Sequence, residues 1–146
     1  MLDIPAAMRA DYSLAAAYLS RDRTAAGVLH AIRTTHRAIH LRTALHGNDR
    51  FDSMTNTVYW DPYSALRTTQ GGRQSPALGL VHELAHAALQ PRREASLDSQ
   101  SVAKYDTMEE RRVIRGVERA SARTLGESMR TDHRGSVYRV ATPVSR

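Results

Sequence analysis

From Ala77 to Leu89 the chain is apolar at every position except three: His82, Glu83 and His86. A helix that is apolar all round belongs in the interior of a small protein. There an unpaired imidazole or carboxylate is costly. Any fold of this chain must bury the segment and give those three groups a partner. Ser75 is placed to cap the helix and Pro76 to fill its first position. Pro91 is expected to stop it near Gln90. His82 and His86, four apart, project from one face. Two imidazole nitrogens at that spacing reach one zinc ion at about 2.0–2.1 Å each. Glu83 sits beside them, poorly placed as a ligand and well placed to move a proton from water to a leaving amine. The pattern is H-E-x-x-H. The plain alternative is a pair of core histidines held by hydrogen bonds, with Glu83 at the surface.

A catalytic zinc site needs a third protein ligand and an open position. The extended pattern H-E-x-x-H-x-x-G-x-x-H is absent, since Leu89 and Arg92 occupy its last two fixed positions, and the next histidine is His133. A glutamate from the following helix is the natural substitute. That helix is expected from about Asp106 or Thr107 to Leu125, with Asp106 and Glu109 as a capping box. On a regular helical wheel Val113, Ile114, Val117, Ala120 and Leu125 share a face, and Glu110 falls in its middle. Glu110 is therefore assigned as third ligand. Glu109, at the edge of that face, is the alternative, or orients a metal-binding histidine. Glu118 lies beside the arginines, where ion pairing is its default role and support of a metal ligand from behind is its alternative. Arg130, His133 and Arg134 follow the helix and are placed to return to the site. One of the three is expected to stabilise an oxyanion, with surface residues near a chain end as the plain alternative, and His133 is taken with Glu83 as catalytic.

Elsewhere the pattern alternates between helix and strand. Ala6–Leu19 reads as a helix and residues 24–34 as a short helix or the lead into a strand. Ile39 and Leu41 alternating with His40 and Arg42 suit a half-buried strand. Thr57–Trp60 is the clearest strand, a candidate edge strand beside the cleft, and Pro62 ends it. Residues 67–75 read as a polar loop and 91–106 as a linker; either is a candidate lid. A short alternating piece closes the chain at residues 137–140. The 146 residues suit one domain, 1–146. The expected fold is α+β and zincin-like: a small, mostly antiparallel sheet packed on two long helices with the metal between them.

Composition narrows the function further. The chain has no cysteine, which removes disulfides, thiol catalysis and Cys-ligated metals. Net charge is +6, and Lys104 is the single lysine among 21 basic residues. The arginines are scattered and lack interleaved aromatics, so no nucleic-acid partner is expected. No segment approaches a membrane span, and the first residues carry no ordinary secretory signal.

The motifs also stand in a familiar order. Tyr59-Trp60-Asp61-Pro62 comes first, then Ser75-Pro76-Ala77 leading into His82-Glu83-Leu84-Ala85-His86-Ala87. Glu109-Glu110-Arg111-Arg112-Val113-Ile114 with Glu118 follows, and then Leu125-Gly126-Glu127, Arg130 and Asp132-His133-Arg134-Gly135. Over roughly residues 35–135 this series resembles the NleD-like zinc metallopeptidases, small effectors that bacterial pathogens inject into host cells by type III secretion. The resemblance implies zinc held by His82, His86 and the Glu109-Glu110 region, with Glu83 as the catalytic glutamate. It also implies a host protein as substrate, stress-activated protein kinases among the implied targets, and a location inside the host cell. Two other classes remain open: a protein-binding module with an inactive or structural metal site, and a peptidase outside any injection system. The intact Glu83 speaks against the first, because a purely structural site has no use for a general base.

Overall fold

The computed structural model describes residues 1–146. From the N-terminus the elements run β1 (Leu2–Asp3), a 3-10 turn (Ala6–Met8), α1 (Arg9–Leu19), α2 (Arg23–Thr34), β2 (Ile39–Thr43), β3 (Arg50–Asp52), β4 (Thr57–Trp60), β5 (Ser64–Arg67), β6 (Arg73–Gln74), α3 (Pro76–Ala87), α4 (Pro91–Asp98), β7 (Ser101–Val102), β8 (Asp106–Thr107), α5 (Met108–Val113), a π segment (Ile114–Glu118), α6 (Arg119–Leu125) and β9 (Ser136–Arg139). The class is α+β.

Two sheets flank the helices. The larger has the strand order β1-β2-β4-β3. Its β1–β2 and β2–β4 pairs are parallel, and only β3 runs antiparallel to its neighbour β4. The expectation of a mostly antiparallel sheet therefore fails here, although β6-β5-β9 and the β7–β8 hairpin are antiparallel. Alternation along a strand reveals which face is buried but not the direction of its neighbour. The alternation itself holds: Ile39 and Leu41 are buried while His40 and Arg42 are partly exposed. The edge strand is also reassigned. β4 is interior, paired on both sides, and β3 forms the edge. Trp60 is wholly buried, and Tyr59 is covered by the Arg50 guanidinium 3.9 Å from its ring centre. Neither side chain lines a substrate pocket.

The stretch read as a linker is ordered into α4 and the β7–β8 hairpin. Pro91 does stop α3, but the missing N–H that ends one helix suits the first turn of the next, and α4 starts on it. The run 108–125 is helical throughout yet changes register at its π segment.

α3 is the centre of the fold, packed on β3, β4 and β5 and against α1, α2, α5 and the π segment. Leu78, Leu80, Val81 and Leu84 are completely buried, each contributing roughly 1.5–3 kcal/mol of burial. Its start is fixed from three directions. Ser75 Oγ accepts from the Leu78 N–H at 3.3 Å. Trp60 Nε1 donates to Pro76 O at 2.8 Å. The Glu127 carboxylate accepts from Ser75 N at 2.6 Å, from Ser75 Oγ at 2.7 Å and from Tyr18 OH at 2.7 Å. Glu127 reaches that place because α6 ends at Gly126, whose φ of 71° is the left-handed conformation glycine adopts without strain. Glu127→Ala strips three donors of their acceptor, two of them at the buried Ser75. We expect unfolding in urea to show a loss of about 2–4 kcal/mol. A loss below 0.5 kcal/mol would mean Glu127 does not anchor the helix.

Candidate metal centre

His82 and His86 lie on the α3 face turned toward α5. Their Nε2 atoms are 3.1 Å apart. Glu110, in the first turn of α5, closes the triangle. Its Oε2 lies 3.1 Å from His82 Nε2 and its Oε1 lies 3.3 Å from His86 Nε2. His82, His86 and Glu110 thus offer three ligand atoms converging on one point. Ligands at tetrahedral angles around zinc, about 2.0–2.1 Å from it, stand roughly 3.3 Å from one another. The donor spacing fits that ion.

The protonation chemistry of the two rings points the same way. His82 Nδ1 faces Glu118 Oε2 at 2.7 Å, and His86 Nδ1 faces Glu109 Oε1 at 3.0 Å. A carboxylate accepts, so each ring carries its proton at Nδ1 and turns an Nε2 lone pair toward the common point. Two Nε2 atoms and a carboxylate facing one another need positive charge between them, which either a metal ion or protons on the rings supply. Burial opposes a charge on His86, but its hydrogen bonds to Glu109 and Glu110 outweigh that and raise the ring to about 10. His82 is likewise raised against burial, by Glu110 and then Glu118. Burial alone would raise Glu110, yet the two imidazoles pull it well below the ordinary carboxylate range.

The glutamates behind the rings are themselves held. Glu118 is 2% exposed and also accepts from Gln74 Nε2 at 2.9 Å and from the Arg130 guanidinium at 2.8–3.1 Å. Burial raises its carboxyl, but His82 and Arg130 reverse the shift and bring it to about 2. Glu109, 1% exposed, is gripped by Arg112, which also donates to Ala85 O at 3.0 Å.

The regular wheel put Glu118 among the arginines, and the π segment explains the difference. A π turn takes in about one residue more than an α turn, so the face slips by roughly 100°. The slip brings Glu118 to the core side behind His82. The cap is also displaced by one residue. Thr107 Oγ1, not Asp106, accepts from the helix, from Glu110 N at 3.2 Å. Asp106 has φ +65° and its carboxylate faces His133 Nδ1 at 2.5 Å.

Glu83 stands next to the cluster without joining it, its Oε1 3.9 Å from His82 Nε2. Two cavities meet at this point. One, of about 160 Å³, is lined by Gly79, His82, Glu118 and Arg130, and the other, of about 330 Å³, by the edge strand β3 together with α4 and α5. Asp49, Glu83 and His133 line both. His133 Nε2 lies 3.4 Å from Glu110 Oε2, and its ring stacks parallel to that of His82 at 6.4 Å. The structure thus brings His133 to the cleft. It commits Arg130 to Glu118 rather than to an oxyanion, and Arg134 lines neither cavity.

Asp49, just before β3, also reaches this point. Its carboxylate accepts from Asp61 N at 2.8 Å and comes within 3.1 Å of where a Cβ on residue 79 would stand, so Gly79 permits the approach. Burial pushes the Asp49 carboxyl up to about 8 against the pull of the Asp61 N–H, and the Glu83 charge adds to the rise.

His82, Glu83, His86 and Glu110 together resemble the active site of an H-E-x-x-H zinc protease, a zincin-type site of the general kind. Comparison of the chain with known protein families, with curated proteins and with solved structures returned no match.

Proposed function

We propose that the protein is a zinc-dependent endopeptidase. The observation that carries this reading is the arrangement of two Nε2 lone pairs and the Glu110 carboxylate around one point, with a further carboxylate, Glu83, beside it and facing open cavities. His82, His86 and Glu110 are the residues that would hold zinc. At such a donor set zinc supplies Lewis acidity toward a carbonyl oxygen and toward water.

The chain's own groups do the rest. The Glu83 carboxylate is free of ion pairing to lysine or arginine, so it can accept a proton from water as that water adds to a carbonyl carbon. The same carboxylic acid then returns the proton to the amide nitrogen as the C–N bond breaks. Glu118 and Glu109 fix the tautomers and ring planes of His82 and His86. His133, held by Asp106 at Nδ1, turns Nε2 toward the cleft, and as the imidazolium it would donate from there to the oxygen that gains charge. β3, the unpaired edge of the sheet, offers main-chain groups to an extended chain lying in the cleft.

The resemblance supports a finer reading, in which the protein is an effector delivered into a host cell and its substrate is a host protein, with stress-activated kinases the first to try. That reading rests on the order of the motifs from Tyr59 to Gly135. No helix is long and apolar enough to cross a membrane. The test of the coarser reading needs no host. The zinc-loaded protein is incubated with a mixture of peptides derived from a cell lysate, and new termini are identified by mass spectrometry. We expect cleavage that stops on chelation and returns with zinc. Cleavage that persists in the apo protein, or none in the zinc-loaded protein, contradicts the proposal.

A further inference from the structure

The helix α4 presents a buried carboxylate that the zinc site does not use. Glu94 is 8% exposed, and no hydrogen bond or ion pair reaches its side chain. The Arg37 guanidinium, whose charge is felt at Glu94, is committed elsewhere: it donates to Ala87 O and Leu89 O at 3.0 Å each and to Asn56. Glu94 lines the cavity of about 330 Å³ that opens between α4 and the edge strand, and Asp98, one turn further along α4, lines it too. Residues four apart on a helix share a face, so both carboxylates face the same space.

The Glu94 oxygens are not closed off, so the carboxylate faces the cavity and its solvent rather than protein donors. Burial, with Asp98 and Glu109 adding to it, raises the Glu94 carboxyl above its ordinary range. Of the other acids around this cavity, Asp49 accepts from the Asp61 N–H and Glu83 is the proposed general base beside His82. Glu110 belongs to the histidines and Glu109 to Arg112 and His86. Glu94 and Asp98 are left over on a chain whose net charge is +6. The local field of this cavity is therefore opposite in sign to that of the whole molecule.

The complementary occupant for two carboxylates facing one cavity is a cation. Only His82, His86 and Glu110 bring three donors close enough together to share one metal ion, so the acids of α4 do not form a second ion cage. A wider cation on a flexible stem suits them better. A guanidinium presents its donors as a fork to paired carboxylates, and an ammonium on a four-carbon stem reaches the same place. The cavity volume lies at the lower end of the range for small-ligand pockets. Asn48, Asp49, Arg50, Phe51 and Ser53 form its opposite wall, so an extended peptide beside β3 would send a side chain into it close to the scissile bond.

We propose that the α4 cavity is a specificity pocket for an arginine or lysine side chain of the substrate, with Glu94 as its principal determinant and Asp98 as the second carboxylate. The proposal rests on the endopeptidase reading for its role, but not for its binding chemistry. Two measurements separate the two. The first is cleavage-site profiling of lysate-derived peptides by zinc-loaded wild type and by Glu94→Gln. Wild type should favour a basic residue at one fixed position within two residues of the cut. Glu94→Gln should lower kcat/KM at least roughly 30-fold for a peptide with arginine there. A matched peptide with norleucine there should change less than about three-fold. The second measurement needs no turnover. Chemical shifts of the zinc-loaded Glu83→Gln protein are followed while N-acetyl-arginine amide or N-acetyl-norleucine amide is added. Shifts at α4 with the arginine probe alone, lost in the added Glu94→Gln or Asp98→Asn variant, support the pocket even if no peptide is cut. Cleavage with no basic preference, or equal response to both probes, overturns the pocket and leaves the endopeptidase reading standing.

Discussion

Glu83→Gln should leave zinc bound at unchanged stoichiometry and lower kcat/KM for peptide cleavage by about 10²–10⁴-fold, the usual contribution of a positioned general base. The substitution keeps the volume and one acceptor oxygen but removes the group that takes the proton. Glu83 is not one of the three converging donors, and its nearest approach to them is 3.9 Å. Metal binding should therefore survive. Kinetics and metal content measured on one preparation check the point. A variant that loses activity and zinc together would make Glu83 a ligand, and a variant that keeps activity would remove it from the chemistry. An inactive or purely structural site predicts no difference between the two proteins, because neither would cut.

The second large effect concerns the ligand set. Glu109→Ala removes the group that orients His86 and Glu118→Gln turns the carboxylate behind His82 into a neutral amide, and changes of that kind cost roughly 10–100-fold in metal affinity. Glu110→Ala removes a donor itself and leaves two imidazoles alone, so its loss of zinc affinity should exceed that range. Competition with a chromophoric chelator gives the three values on one scale. The expected ranking places Glu110→Ala clearly lowest in affinity, with Glu118→Gln and Glu109→Ala between it and wild type. The arginines sharpen the comparison, since Arg112 loses its carboxylate in Glu109→Ala and Arg130 faces a neutral amide in Glu118→Gln. Thermal stability of the metal-free proteins must therefore be measured beside affinity. If Glu109→Ala proves the weakest binder while remaining folded, the roles of the two adjacent glutamates are exchanged.

The inner part of this site was legible in the sequence because it is local. His82, Glu83 and His86 share one helix, and the helical period alone sets their faces. Glu110 was reachable through Val113 and Ile114, which lie before the register change takes effect, although Glu109, placed at the edge by the wheel, is the more deeply buried of the two. Glu118 lies at the end of the π segment, and no residue type in Ile114–Glu118 announces an altered turn. Asp49 and Glu94 were hidden for a different reason. One sits beyond a turn and the other on a short, polar helix after Pro91, and both matter through what the tertiary fold places opposite them. The strand directions were likewise beyond reach, because the two-residue β1 and the three-residue β3 carry almost no pattern of their own. α4 was taken for a linker since Arg92, Arg93 and Ser96 leave its buried side as little more than Glu94.

All of these expectations depend on the point between α3 and α5 binding one metal ion. The most direct measurement is zinc titration of the purified apo protein combined with X-ray absorption at the zinc edge. One zinc per chain is expected, with a nitrogen and oxygen first shell at about 2.0–2.1 Å and the outer-shell signature of two imidazoles. Failure to take up zinc stoichiometrically, or a bound zinc whose shell contains no imidazole, would contradict the account at its root.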